Sequence, residues 1–147
     1  MNEIEAMDRL SIPLALLYAT MGVLSLALAF TPDWEVTVVG LAYSGDIMLG
    51  LVFLVIAGTF AASARALMGE RSDHLPFGYV GSLLASIVLL IQVVTVLSEL
   101  VLELIGGDPW VLAESLHPTA LVGVLALAAF IHYRRKMGPE DCALEGV

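Results

Sequence analysis

The sequence predicts an all-α protein, an antiparallel four-helix transmembrane bundle with short loops and both termini on the cytoplasmic side. Three observations lead there. The first is composition: 59% of the 147 residues are hydrophobic and 14% are charged, whereas water-soluble domains carry roughly 25% charge. Mean hydropathy is +0.93. The second is distribution. The apolar residues form long runs that predict spans at about 10–30, 41–64, 77–99 and 112–133, each near the ~20 residues a bilayer requires. The third is charge placement. Arg9, Arg65, Arg71, Arg134, Arg135 and Lys136 are all the basic residues, and with four spans they fall on one side. Basic flanks stay cytoplasmic, which gives the N-in, C-in orientation. The chain reads as a single membrane domain, and the expected location is the plasma membrane.

The first span follows a short polar leader, Met1 to Arg9. The leader is acidic and the apolar run that follows exceeds the ~7–15 residues of a signal peptide, so retention is expected. Pro13 falls in the first turn, where a missing N–H costs little. Ala15, Ala19, Gly22 and Ala29 form a stripe of small residues suited to helix contact. Thr31-Pro32-Asp33-Trp34-Glu35 is a polar turn.

The second apolar run, Val36 to Ala64, is longer than the hydrocarbon needs, so its first part is expected to be interfacial or tilted. Counting back from Arg65 at ~1.5 Å per residue puts Asp46 near the outer edge of the hydrocarbon. Asp46, Gly50, Phe53, Ala57 and Ala64 share a face.

The third span has two unlike faces. At ~100° per residue Gly78, Gly81, Ala85, Gln92, Glu99 and Glu103 fall on one stripe, with Thr95 beside it. Leu83, Leu84, Ile87, Leu90, Ile91, Val94 and Val101 lie opposite. The small, polar stripe of Gly78, Gly81, Ala85 and Gln92 is the expected packing face, because small residues let helices approach and polar ones need partners in lipid. A bulky Gly81→Leu is expected to disturb that packing far more than Gly81→Ala. After Ile105-Gly106-Gly107, Asp108 is a suitable N-cap and Pro109 a suitable first helical residue. The last helix runs to Tyr133. Pro118 is expected to kink it or to split off an interfacial segment at 110–116. Trp34 and Trp110 then both fall at the outer interface.

The net charge of −9 excludes nucleic acid as a partner. The single cysteine, Cys142, excludes an internal disulfide and any multi-cysteine metal site within one chain. Asp33, Glu35, Asp46, Glu99, Glu103, Asp108 and Glu114 all fall on or near the outer side, with no base beside them. Within that set Glu114 and His117, three apart on one helical face, resemble in spacing half of a bundle metal site. Asp46 and Glu99 from neighbouring spans would complete a shell for a divalent cation. His74 and His132, the remaining histidines, read better as interfacial residues than as haem ligands.

The sequence has no Cys-x-x-Cys, phosphate loop, His-Glu-x-x-His or Gly-x-Ser-x-Gly motif. No charge lies at the centre of a span, which argues against a proton pump or a small multidrug antiporter. Four spans alone identify no family. The lipid bilayer is the first partner. The expected role is a structural or accessory subunit, in a homo-oligomer or beside other membrane subunits, and catalysis is not expected. The alternatives are a cation-binding channel or transporter with an acidic outer mouth, and a metal- or haem-dependent membrane enzyme.

Overall fold

A computed structural model of the chain describes residues 9–31, 36–38, 41–43, 45–69, 74–106 and 118–136. These form four helices, α1 (Ser11–Phe30), α2 (Ile47–Met68), α3 (His74–Gly106) and α4 (Pro118–Lys136), and a hairpin of β1 (Val36–Val38) with β2 (Leu41–Tyr43). Helices α1, α2 and α3 are long and apolar enough to cross a membrane. Helix α4 has 19 residues and closes with Arg134, Arg135 and Lys136. It is not among the three, because these charges shorten its apolar stretch. The segment at 110–116, where a kink or separate helix is expected, lies outside the described residues.

The second apolar run divides where its local chemistry changes. Asp46 has an extended backbone (φ −140°, ψ 122°) and its carboxylate accepts the Leu49 N–H at 2.9 Å. That is an N-cap, and it starts α2 at Ile47 rather than at 41. Upstream, β-branched Val36, Thr37 and Val38 favour a pleated strand. They pair antiparallel in the register Val36↔Tyr43, Thr37↔Ala42 and Val38↔Leu41. The excess length of the run is therefore taken up by a hairpin, not by a tilted helix. At its other end α2 stops at Gly69, whose N–H reaches the carbonyls of Arg65 and Ala66.

Successive helices run in opposite directions, as their contacts show. Along α1 and α2, Gly45 lies against Ala29, Gly22 against Gly50, and the Tyr18 ring against Phe53 and Phe60 at 5.7 and 6.1 Å. Between α2 and α3, the Ser63 hydroxyl donates to the His74 carbonyl at 2.8 Å, while Gly81 faces Thr59 and Phe60. Between α3 and α4, Gly78 faces Tyr133 and Gly123 faces Leu89. Tyr79 meets Phe130 at 5.4 Å. One core draws on all four helices, including Leu14 and Tyr18, Phe53 and Phe60, Ala85, and Ala126 and Tyr133.

The buried stripe of α1 is Ser11, Leu14, Tyr18, Gly22, Ser25 and Leu28. It shares only Gly22 with the expected alanine-rich stripe. Ala15, Ala19 and Ala29 are half-buried at its flank. The face that packs is the one with a large aromatic ring and two hydroxyls, because these fill space and find partners that alanine cannot.

Glycine substitutions separate close contacts from open ones. A Cβ at Gly58 meets nothing within 4 Å, so Gly58→Ala should raise stability by about 0.8–1 kcal/mol through helix propensity. A Cβ at Gly78 would lie 2.5 Å from Cζ of Tyr133, and one at Gly81 would lie 2.6 Å from Oγ1 of Thr59. Even alanine at Gly81 therefore forces a neighbour to move, and leucine would have to displace far more. Thr59 can change rotamer, whereas the Tyr133 ring is enclosed. Melting in detergent should rank Gly58→Ala at or above wild type, then Gly81→Ala, then Gly78→Ala.

Candidate functional site

Two polar constellations lie at similar heights inside the apolar body, toward the end of α1 that carries Phe30. The first is built around Ser25. Its hydroxyl donates to the Asp46 carbonyl at 2.8 Å and accepts the Asp46 N–H at 3.1 Å. Beside it the Tyr43 hydroxyl donates to the Met21 carbonyl at 3.0 Å. Tyr43 is 3% exposed. These contacts pin the hairpin and the start of α2 to the side of α1. At Gly45 only the absence of a side chain lets the backbone pass against Leu28 and Ala29.

The second constellation joins α3 to α4. Gln92 Nε2 donates to Thr119 Oγ1. Gln92 Oε1 is buried and has no hydrogen-bond partner among the described residues. Thr119 is 3% exposed, one residue into α4 from Pro118. An amide so placed holds the two helices in register, and its oxygen offers an acceptor facing the contact.

The residues singled out by sequence are distributed as follows. Gly78, Gly81 and Ala85 are buried, and Gln92 is half-buried between α3 and α4. Asp46 is exposed and caps α2. Glu99 is half-buried on α3, one turn before Glu103, whose Oε2 is buried without a hydrogen-bond partner among the described residues. Glu114 and His117 lie outside the described residues, so the four-residue cation site is neither assembled nor dispersed by the structure. Among the described residues no group of three or more His, Cys, Asp or Glu side chains could hold a metal ion. His74 and His132 are both half-buried, at the start of α3 and in the last turns of α4. Chemically, the observed arrangement supplies helix registration, the exposed Asp46 carboxylate and two buried acceptors, on Gln92 and Glu103.

Ser25, Tyr43 and Thr119 were not legible as site residues. Ser25 carried a signal, because it falls in the 3–4-residue repeat of Ser11, Leu14, Tyr18 and Gly22. Tyr43 carried none, since its role depends on the hairpin turning it toward α1. Comparison with family models, curated proteins and solved structures finds no match to this chain.

Removing one partner from a buried polar pair costs more than removing both. Thr119→Val leaves the whole Gln92 amide unpaired and should destabilise the protein by about 0.6–1.7 kcal/mol, the range of interhelical hydrogen bonds in membranes. Adding Gln92→Leu to Thr119→Val should recover part of that loss. Thermal unfolding of the single and double variants in detergent measures both steps.

Proposed function

We propose that this protein is an integral protein of the plasma membrane, with four antiparallel spans and cytoplasmic termini, that acts as a structural or accessory subunit of a homo-oligomer or larger membrane complex. The observation carrying this reading is the third helix. It has 33 residues, about 50 Å at ~1.5 Å per residue, against a hydrocarbon core of ~30 Å. Only 17% of its most apolar window is buried, compared with 33% for α1 and 39% for α2. Leu90, Ile91, Val94, Leu97 and Val101 form a continuous exposed aliphatic face. The opposite face carries the small residues that pack on α2 and α4. A long helix tied to its own chain along one edge offers the rest of its surface to neighbours.

Two measurements test the reading. In a Cys142→Ser background, Leu90→Cys and Leu97→Cys should cross-link in native membranes, either to a second copy or to a discrete second subunit. Val23→Cys, on an exposed position of α1, should not. Equal yields at all three sites mean that α3 faces lipid, and the subunit reading fails. In the wild type, Cys142 should react with an impermeant thiol reagent only after the membrane is opened. Labelling of intact cells would overturn the N-in, C-in orientation.

A cation-binding channel or transporter with an acidic outer mouth is the second reading. The buried Oε2 of Glu103, without a hydrogen-bond partner among the described residues, supports it, with Glu99 one turn away. In this reading Asp46, Glu99, Glu114 and His117 close around a divalent cation. Calcium, manganese or zinc at a hundredfold excess over its dissociation constant should then stabilise the protein by about 2.7 kcal/mol. Glu99→Gln should remove most of the gain, while Glu35→Gln should keep it. No shift with any of the three ions would eliminate this reading.

A further inference from the structure

A groove of about 620 Å³ runs between α2 and α3 on the outside of the protein. Val52, Val55 and Ile56 line one wall and Leu84, Ile87 and Ile91 the other. Asp46 sits at its head and is the only charged residue of the lining among the described residues. The depth of that carboxylate follows from its neighbours. Asp46 is tied to Ser25 through two hydrogen bonds, five residues short of Phe30 at the end of α1. At ~1.5 Å per residue this is about 7–8 Å below the end of a helix whose length matches the hydrocarbon core. Helix α3 agrees: beyond Ile91, the last groove residue on that wall, it continues through the exposed apolar Val93, Val94 and Leu97.

No cation of either wall balances this charge. The first basic residue along α2 is Arg65, 19 residues on and about 28 Å away. Helix α3 contains no Lys or Arg. An ionisable side chain recessed in a membrane marks a binding or transport site by default. The cap to Leu49 explains the helix start, and asparagine would serve there as well. It does not account for the apolar groove extending from the same residue.

We propose that this groove binds the chain of a single-chain amphiphile whose ammonium head lies against Asp46. The proposal rests on the membrane-spanning reading of α1, α2 and α3. The apolar walls take the chain and the carboxylate selects the charge. A bilayer phospholipid fits poorly, since its phosphate would enter with the ammonium and no groove residue could receive it. Its headgroup would also have to sink well below the interface. A small ammonium on one chain meets neither obstacle.

The test uses the full-length protein in phosphatidylcholine nanodiscs, with dodecyltrimethylammonium as probe and dodecanol and dodecyl sulfate as chains of equal length. The wild type should bind the ammonium probe about tenfold more tightly than dodecanol, a difference of about 1.4 kcal/mol, and dodecyl sulfate more weakly than either. Asp46→Asn, which preserves the cap, should reduce the ammonium probe to the level of dodecanol. Val52→Trp, on a side chain 41% exposed, should fill the groove and remove binding of all three. Equal binding of the three probes, an undiminished Asp46→Asn, or an undiminished Val52→Trp overturns the proposal. So does a change in oligomer size with Val52→Trp, which would make the groove a contact between copies. Extraction of the protein from membranes by alkaline carbonate is a separate readout, and it alone tells against the membrane-spanning reading.

Discussion

Close approach of helix backbones at glycine is the constraint on which the rest of this structure depends. Helices this apolar gain little from burying one more leucine against another if their surroundings are also apolar. What distinguishes the right neighbour is dense contact, and dense contact requires small residues. Each packed pair has such a point. Gly22 and Gly50 bring α1 onto α2, Gly81 seats α3 against Thr59 and Phe60, and Gly78 and Gly123 receive Tyr133 and Leu89 between α3 and α4. At each point the partner is either a backbone or a large side chain filling the space that a missing Cβ leaves.

Hydrogen bonds then fix the register that glycine contact permits. In apolar surroundings a helix has no competing water, so its few side-chain hydroxyls and amides bond either to their own preceding turn or across to a neighbour. Thr20, Ser86, Thr95 and Ser98 take the first course. Ser25, Tyr43, Ser63 and Gln92 take the second. The second group marks the junctions in chain order: α1 to the hairpin and α2, α2 to α3, and α3 to α4. Among the described residues, Gln92 is the cross-helix donor that leaves an atom over, its Oε1.

The stagger of α2 against α1 has a functional consequence. Because Ser25 holds Asp46, α2 begins one to two turns below the end of α1. A carboxylate that would ordinarily sit at a helix end on the surface is thereby brought below the end of its neighbour and opened toward a groove. The same geometry separates Asp46 from the basic residues, which cluster at the far ends of α2 and α4. Charge asymmetry and helix stagger together produce a recessed anion with apolar walls.

The sequence by itself determined the helical class, the long apolar runs and which face of α3 is small, but not where the helices begin and end. Apolar run length and the Gly78–Gly81–Ala85 spacing are local properties, and local properties are what periodicity reports. It also determined charge placement, since the basic residues can be counted without knowing what they touch. Only the tertiary structure decided that residues 36–43 turn back as a hairpin, that α1 packs through Tyr18 and Ser25 rather than its alanines, and that Thr119 answers Gln92. Each of these depends on a partner more than fifteen residues away or on a choice between two conformations with similar local preference. The groove beneath Asp46 belongs to the same class. Its walls come from two helices, each of which shows only an ordinary aliphatic face when read alone.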